Sequence, residues 1–132
     1  MKLSNQDRRS MIAHHLAKAE QMLGLADELV AMGHYDAACN RYYYACFHAT
    51  HALLVANEIG AKTHEGMLTV FGKEFILTGK IDKQYGILLN RMEQLRKKAD
   101  YNCIAEISAD EAKTIGQPAR DFLAEVKRQL AS

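Results

Sequence analysis

At 132 residues the chain is sized for one domain, 1–132, with a single core and no room for separate catalytic and regulatory units. Its 17 Lys and Arg against 16 Asp and Glu leave a formal charge of +1, which excludes the strong basic excess of proteins that follow nucleic acid over many phosphates. Any RNA contact is therefore expected to be small and local.

One proline and no sustained apolar/polar alternation predict an all-helical domain. In the first segment Ile12, Leu16, Ala19, Leu23, Ala26 and Val30 form one buried stripe that stops at Gly33, a residue suited to the left-handed conformation past a helix end. A second helix is predicted from Tyr35 or Asp36 to about Glu58, ending at Ile59-Gly60. Thr63 caps a third, with Met67, Leu68, Phe71 and Phe75 on its apolar face and Thr78-Gly79 as its stop. The fourth runs from about Asp82 to Lys98, with Tyr85, Leu88, Met92 and Leu95 facing inward and Lys97-Lys98 as a solvated end. Asp100-Tyr101 follows as a turn that locks the bundle, with Asp100 accepting from backbone or from Arg96. Ser108-Ala109-Asp110-Glu111 has the form of a capping box and opens a fifth segment directing Ile115, Ala119, Phe122, Val126 and Leu130 to the core. Pro118, beside Gly116, predicts a kink or break within it. Short linkers make these helices antiparallel neighbours in an up-and-down bundle of four to five helices.

Cys39, Cys46 and Cys103 form no CxxC, which fits a reducing cytoplasm. No run approaches the roughly 18 to 20 apolar residues of a membrane span, so the protein is expected to be neither secreted nor membrane-spanning.

The chemistry concentrates in the second helix, Asn40-Arg41-Tyr42-Tyr43-Tyr44-Ala45-Cys46-Phe47-His48-Ala49-Thr50-His51-Ala52-Leu53-Leu54. With Arg41 as the zero of the helical wheel, Tyr43, Cys46, Phe47, Leu53 and Leu54 gather about 120 to 240° away and belong to the core. The near side carries Arg41, Tyr44, Ala45, His48, Ala52 and, toward its edge, His51. A cation and an imidazole on one face suit a phosphate, and the alanines let another helix or a ligand come close. Helical side chains lean toward the N-terminus, so Arg41 leans away from His48, and two copies about a two-fold axis would close the site better than one. This predicts a homodimer with a composite site. The alternatives at each residue stay open: an ion pair of Arg41 with Asp36 or Asp100, a packing role for His48, and a helix-start role for His64. Tyr42 and Tyr43 are expected in core or interface. No metal ligand set is predicted, since His48 and His51 lack a well-placed carboxylate or cysteine. His14-His15 sits on a polar flank without a recognisable constellation.

The run Gly33-His34-Tyr35-Asp36-Ala37-Ala38-Cys39-Asn40-Arg41-Tyr42-Tyr43-Tyr44-Ala45-Cys46-Phe47-His48, then Thr63-His64-Glu65-Gly66, then Arg96-Lys97-Lys98-Ala99-Asp100-Tyr101, resembles a HEPN domain (higher eukaryotes and prokaryotes nucleotide-binding), over roughly residues 5–130. It is similar to the small stand-alone prokaryotic members. The resemblance implies a four-to-five-helix bundle, frequent dimerisation, and pairing of many members with a minimal nucleotidyltransferase in toxin-antitoxin modules. Some members are metal-independent ribonucleases built on an arginine and a histidine with four to six residues between them, a pattern matched by Arg41 and His48 with six between. The resemblance then implies catalytic roles for Arg41 and His48, with Tyr44, His51 and His64 expected to contact RNA or nucleotide and no cofactor required. In ribonuclease members the residue after the arginine is usually small and polar, whereas here it is Tyr42. That departure keeps a second expectation open, a non-catalytic nucleotide-binding or helper subunit of a separate nucleotidyltransferase.

Overall fold

The computed structural model describes residues 3–101 and 107–131, and the side chains of the same residues except 99–101. Five α-helices follow in chain order: α1 Asn5–Ala31, α2 Tyr35–Ala56, α3 His64–Phe71, α4 Lys83–Tyr101 and α5 Ala109–Ala131, with a π-helical turn, Gly72–Ile76, continuing α3. No strand occurs among the described residues, and none of their helices is long and apolar enough to cross a membrane.

Local sequence fixes most of the helix ends. Ser4 Oγ accepts from the Asp7 amide at α1, and Thr63 Oγ1 from the Gly66 amide at α3. At α5 the capping box closes as expected, the Glu111 amide donating to Ser108 Oγ and the Ser108 amide to Glu111 Oε1. α1 and α2 end in the same motif, in which the second residue past the cap bonds back into the last turn: His34 N–H to Leu29 O, and Ile59 N–H to Leu54 O. The left-handed position is Gly33 in α1, with φ +81°, but Glu58 in α2, with φ +58°. An L-residue there costs about 1–2 kcal/mol. The surface ion pair of Glu58 with Arg8, 2.5 Å long, belongs to a class that returns only about 0–1 kcal/mol.

The core lies between α1, α2, α4 and α5, with α2 in the middle. Ala19, Leu23 and Ala26 of the α1 stripe are buried, while Ile12, Leu16 and Val30 are only half-buried at its ends. α2 answers with Ala38, Ala45, Ala49 and Ala52, all buried. Contacts on either side of these alanines, Tyr42 with Asp27 and His51 with His15, show α1 lying antiparallel along them. The close approach anticipated at Ala45 and Ala52 is thus made by the chain's own α1. Arg120 with Asp27, and Lys127 with Glu20, set α5 antiparallel to α1 as well. Leu88, Met92 and Leu95 of α4 are buried as expected, joined by Leu89, whereas Tyr85 is half-buried.

Two boundaries differ from the sequence reading. α4 continues through Asp100 to Tyr101, so these two residues extend the helix rather than form a turn; their side chains, and Cys103, lie outside the described residues. Pro118 sits inside an unbroken α5. A proline in a helix interior costs about 3 kcal/mol, but Ile115, Phe122 and Val126, on both sides of it, are fully buried at about 1.5–3 kcal/mol each, and this burial holds the helix together across the missing hydrogen bond.

Gly116 has a separate reason. Tyr42 donates to Asp27 Oδ1 at 2.5 Å, Arg120 Nη1 donates to both Asp27 oxygens at 2.7 Å, and a Cβ at Gly116 would lie 2.9 Å from Tyr42 Oη and 3.2 Å from Cζ. Only a bare α-carbon lets α5 sit against the tyrosine. Gly116→Ala is expected to destabilise the protein by about 1–3 kcal/mol, read as a lower midpoint in urea unfolding with an unchanged slope.

Candidate functional site

α2 presents Arg41, Tyr44, His48 and His51 on one half-buried edge beside α1. Arg41 and His48 stand two turns apart, about 10 Å along the axis. The Arg41 Nη1 group donates to Asn40 Oδ1 at 2.6 Å, while its buried Nε has no hydrogen-bond partner among the described residues. The expected pairing with Asp36 does not form, because Asp36 Oδ1 instead accepts the Ile107 amide at 3.0 Å. The Asp100 side chain lies outside the described residues. Among the described residues no carboxylate is bonded to Arg41.

His48 does not stand alone. Its Nδ1 lies 3.0 Å from Nδ1 of His15, on the facing side of α1, and the His15 ring stacks on His51 with centroids 4.0 Å apart. His14 meets His15 edge-on at 5.3 Å. Crowding of imidazoles at a part-buried seam disfavours extra protons. Burial, then the charges of His51, His48 and His14, bring His15 down to about 4. Burial, then His51, His14 and Lys18, lower His48, and burial lowers His51. Two imidazoles joined through Nδ1 share one proton, so one donates and the other accepts. Among the described residues no group of three or more His, Cys, Asp or Glu is placed to hold a metal ion.

A second patch adjoins the first through Phe47. His64, the first residue of α3, packs its ring against Phe47 with centroids 3.7 Å apart, and its Nδ1 lies 2.8 Å from Tyr43 Oη. Tyr44 meets His64 edge-on at 6.0 Å, and Phe47 lies 6.3 Å from His51. The Arg96 guanidinium stacks over the Tyr43 ring at 5.0 Å and bonds Glu93 at 3.0 Å. Burial, then Arg96, lowers His64. The structure therefore brings together His48, His51, Tyr44 and His64 along one strip, with Arg41 at its N-terminal end. Tyr42 and Tyr43 are buried, as the sequence suggests, and Tyr42 points away from Arg41 into its bond with Asp27.

Sequence reasoning missed His15, whose partners are set by the register of α1 on α2. The signal that could have found it is the pair His48 and His51, three apart on one helix edge, which demands a neighbour on the adjoining helix.

Because His15 and its neighbours are protonated less readily in the folded chain than in the unfolded one, the unfolded state binds more protons just below pH 6.5 and stability rises with pH there. Thermal midpoints should fall as pH is lowered from about 6.5 toward 4, before the carboxylates titrate, and His15→Gln should flatten that slope.

The HEPN domain family model matches residues 12–129. The chain is 36% identical to the Methanocaldococcus jannaschii protein named "Putative toxin MJ0142" over 89% of this chain and 80% of that one. It is 34% identical to "Putative toxin MJ0605" of the same organism, over 97% of this chain and 95% of the relative. A Thermotoga maritima UPF0332 protein is 32% identical over 94% of each chain. With an all-helical bundle, the Arg41 and His48 helix at its centre and a family match over nearly the whole length, the chain belongs to the HEPN domain family.

Proposed function

We propose that this protein is a toxin-type HEPN ribonuclease that cleaves RNA without a metal ion, using His48 as general base and Arg41 to hold the phosphate charge. The observation that carries this reading is the Nδ1 to Nδ1 contact of His48 with His15, on the same helix edge as an arginine with no carboxylate partner among the described residues. Relatives named as toxins support the toxin part.

We assign the shared proton to His48. With both rings neutral, His48 Nδ1–H donates to His15 Nδ1 in this assignment, and His48 is held as the tautomer whose Nε2 carries the free lone pair. A neutral acceptor takes the place that a carboxylate holds in the Ser-His-Asp arrangement: it orients the base without raising its basicity. Nε2 then takes the proton of a ribose 2′-hydroxyl as O2′ bonds to phosphorus. The bond from phosphorus to O5′ breaks, water protonates the departing oxygen, and the products are a 2′,3′-cyclic phosphate and a 5′-hydroxyl. Arg41 donates to the non-bridging oxygens, whose negative charge grows in the transition state. Since Arg41 leans away from His48 on its own helix, the reading includes a homodimer in which Arg41 of one copy serves His48 of the other. Tyr42, which stands where ribonuclease members usually carry a small polar residue, is bonded to Asp27 and packs on Gly116, off the Arg41 edge.

Purified protein in EDTA should cut total RNA or tRNA to 2′,3′-cyclic ends, while His48→Ala, folded with an unchanged helical spectrum, should not. The acid limb of kcat/KM should lie below pH 6.5, because a lowered base stays unprotonated further into acid. No cleavage by either protein would leave the binding role, alongside a separate nucleotidyltransferase, as the better reading. Mixing inactive Arg41→Ala and His48→Ala proteins tests the composite site. Exchange into mixed dimers rebuilds one intact site if the two residues act across copies, and activity should reappear; a mixture that stays inactive after subunit exchange would place both residues in one chain.

A further inference from the structure

A cavity of about 570 Å³ opens between the start of α1, the end of α2 and the start of α3, within the size range of small-ligand sites. Its walls are largely apolar, with Met11, Leu54, Val55, Ile59 and Met67 among them. Its charged groups are Arg8 and Glu58, and His51 completes the lining. That histidine is the same ring that stacks on His15, so the cavity adjoins the His15 and His48 pair directly.

Glu58 is out of place on local grounds. Among the described residues it is the one non-glycine with positive φ, at a helix end where the equivalent position of α1 is Gly33. Its ion pair with Arg8, about half exposed on the glutamate side, accounts only in part for a carboxylate at that strained position. Backbone strain kept at the rim of a cavity is the usual mark of a functional constraint.

The geometry points to this cavity as a pocket for a guanine base of RNA, next to the phosphate cut by His48; the RNA part rests on the ribonuclease reading. A nucleobase has two apolar faces and a polar edge, which matches apolar walls closed by one ionic couple. The guanine edge sets two neighbouring donors, N1–H and N2–H, beside the acceptor O6. Glu58 accepts from both donors, and Arg8, which already donates to Glu58 Oε1, Asn5 Oδ1 and the Leu3 carbonyl, turns a donor to O6. The His51 ring, neutral because burial lowers it, flanks the base without bringing a charge into the apolar space.

The test uses the four ribonucleoside 5′-monophosphates as probes, with affinity read from the NMR shift of the His51 ring. Guanosine monophosphate is expected to bind best and to shift His51. Glu58→Gly, which removes strain and should fold at least as well as wild type, is expected to weaken it tenfold or more, and Val55→Trp, which fills the cavity, to abolish it. Equal affinity of wild type and Glu58→Gly, binding that survives Val55→Trp, no shift with any nucleotide, or a preference for another base would each overturn the proposal. Guanosine monophosphate binding in a protein that cuts no RNA would uphold the pocket and sink the ribonuclease reading. RNA cleavage with a site preference unchanged by Glu58→Gly would do the reverse.

Discussion

Close packing of α1 on α2 is the constraint from which the other features of this molecule follow. It depends on small residues on both sides: Ala38, Ala45, Ala49 and Ala52 on α2 against Ala19 and Ala26 on α1, all buried. Side chains this small let two helix backbones approach, and interaxial distance follows side-chain size. A larger residue at Ala45 or Ala49 would push the helices apart and separate His15 from His48. Position of the imidazoles is therefore a consequence of core packing, not of any local motif.

Polar groups at the two ends of that seam divide the work. At one end Tyr42, Asp27 and Arg120 tie three helices together, with Gly116 stripped of its side chain to admit the tyrosine. Burial first, then the bond to Asp27, raises the Tyr42 hydroxyl to about 12, so it remains a neutral donor across the physiological range. At the other end, among the described residues, no carboxylate is bonded to His15, His48 or His51, and burial, the largest cause in each, lowers all three. One end is saturated with partners and structural. At the other, the imidazoles meet chiefly one another, His15 bonding His48 and stacking on His51.

The cysteines illustrate the same rule from the inert side. Cys39 and Cys46 are free and buried in α2, and burial pushes both thiols up, Cys39 to about 11, so neither offers a thiolate near neutral pH. Of the three tyrosines beside Arg41, Tyr42 and Tyr43 are buried, with hydroxyls engaged by Asp27 and His64, while Tyr44 stays half-buried on the imidazole edge.

Helix number, order and most ends could be read from the chain, because caps and apolar periodicity act over a few residues: Thr63, Gly33 and the Ser108 to Glu111 box work as local chemistry requires. The family motif and the Arg41 and His48 spacing were legible for the same reason. Tertiary structure alone decided the rest. Burial on both sides of Pro118 overrode a local breaker, and Asp36 was claimed by the distant Ile107 amide instead of Arg41. The partnership of His15 with His48, and the cavity shared by Arg8, His51 and Glu58, join residues 33 and 50 positions apart. Such pairings depend on the register of one helix against another, which is set by the sum of many small packing contacts and has no signature in any single stretch of sequence.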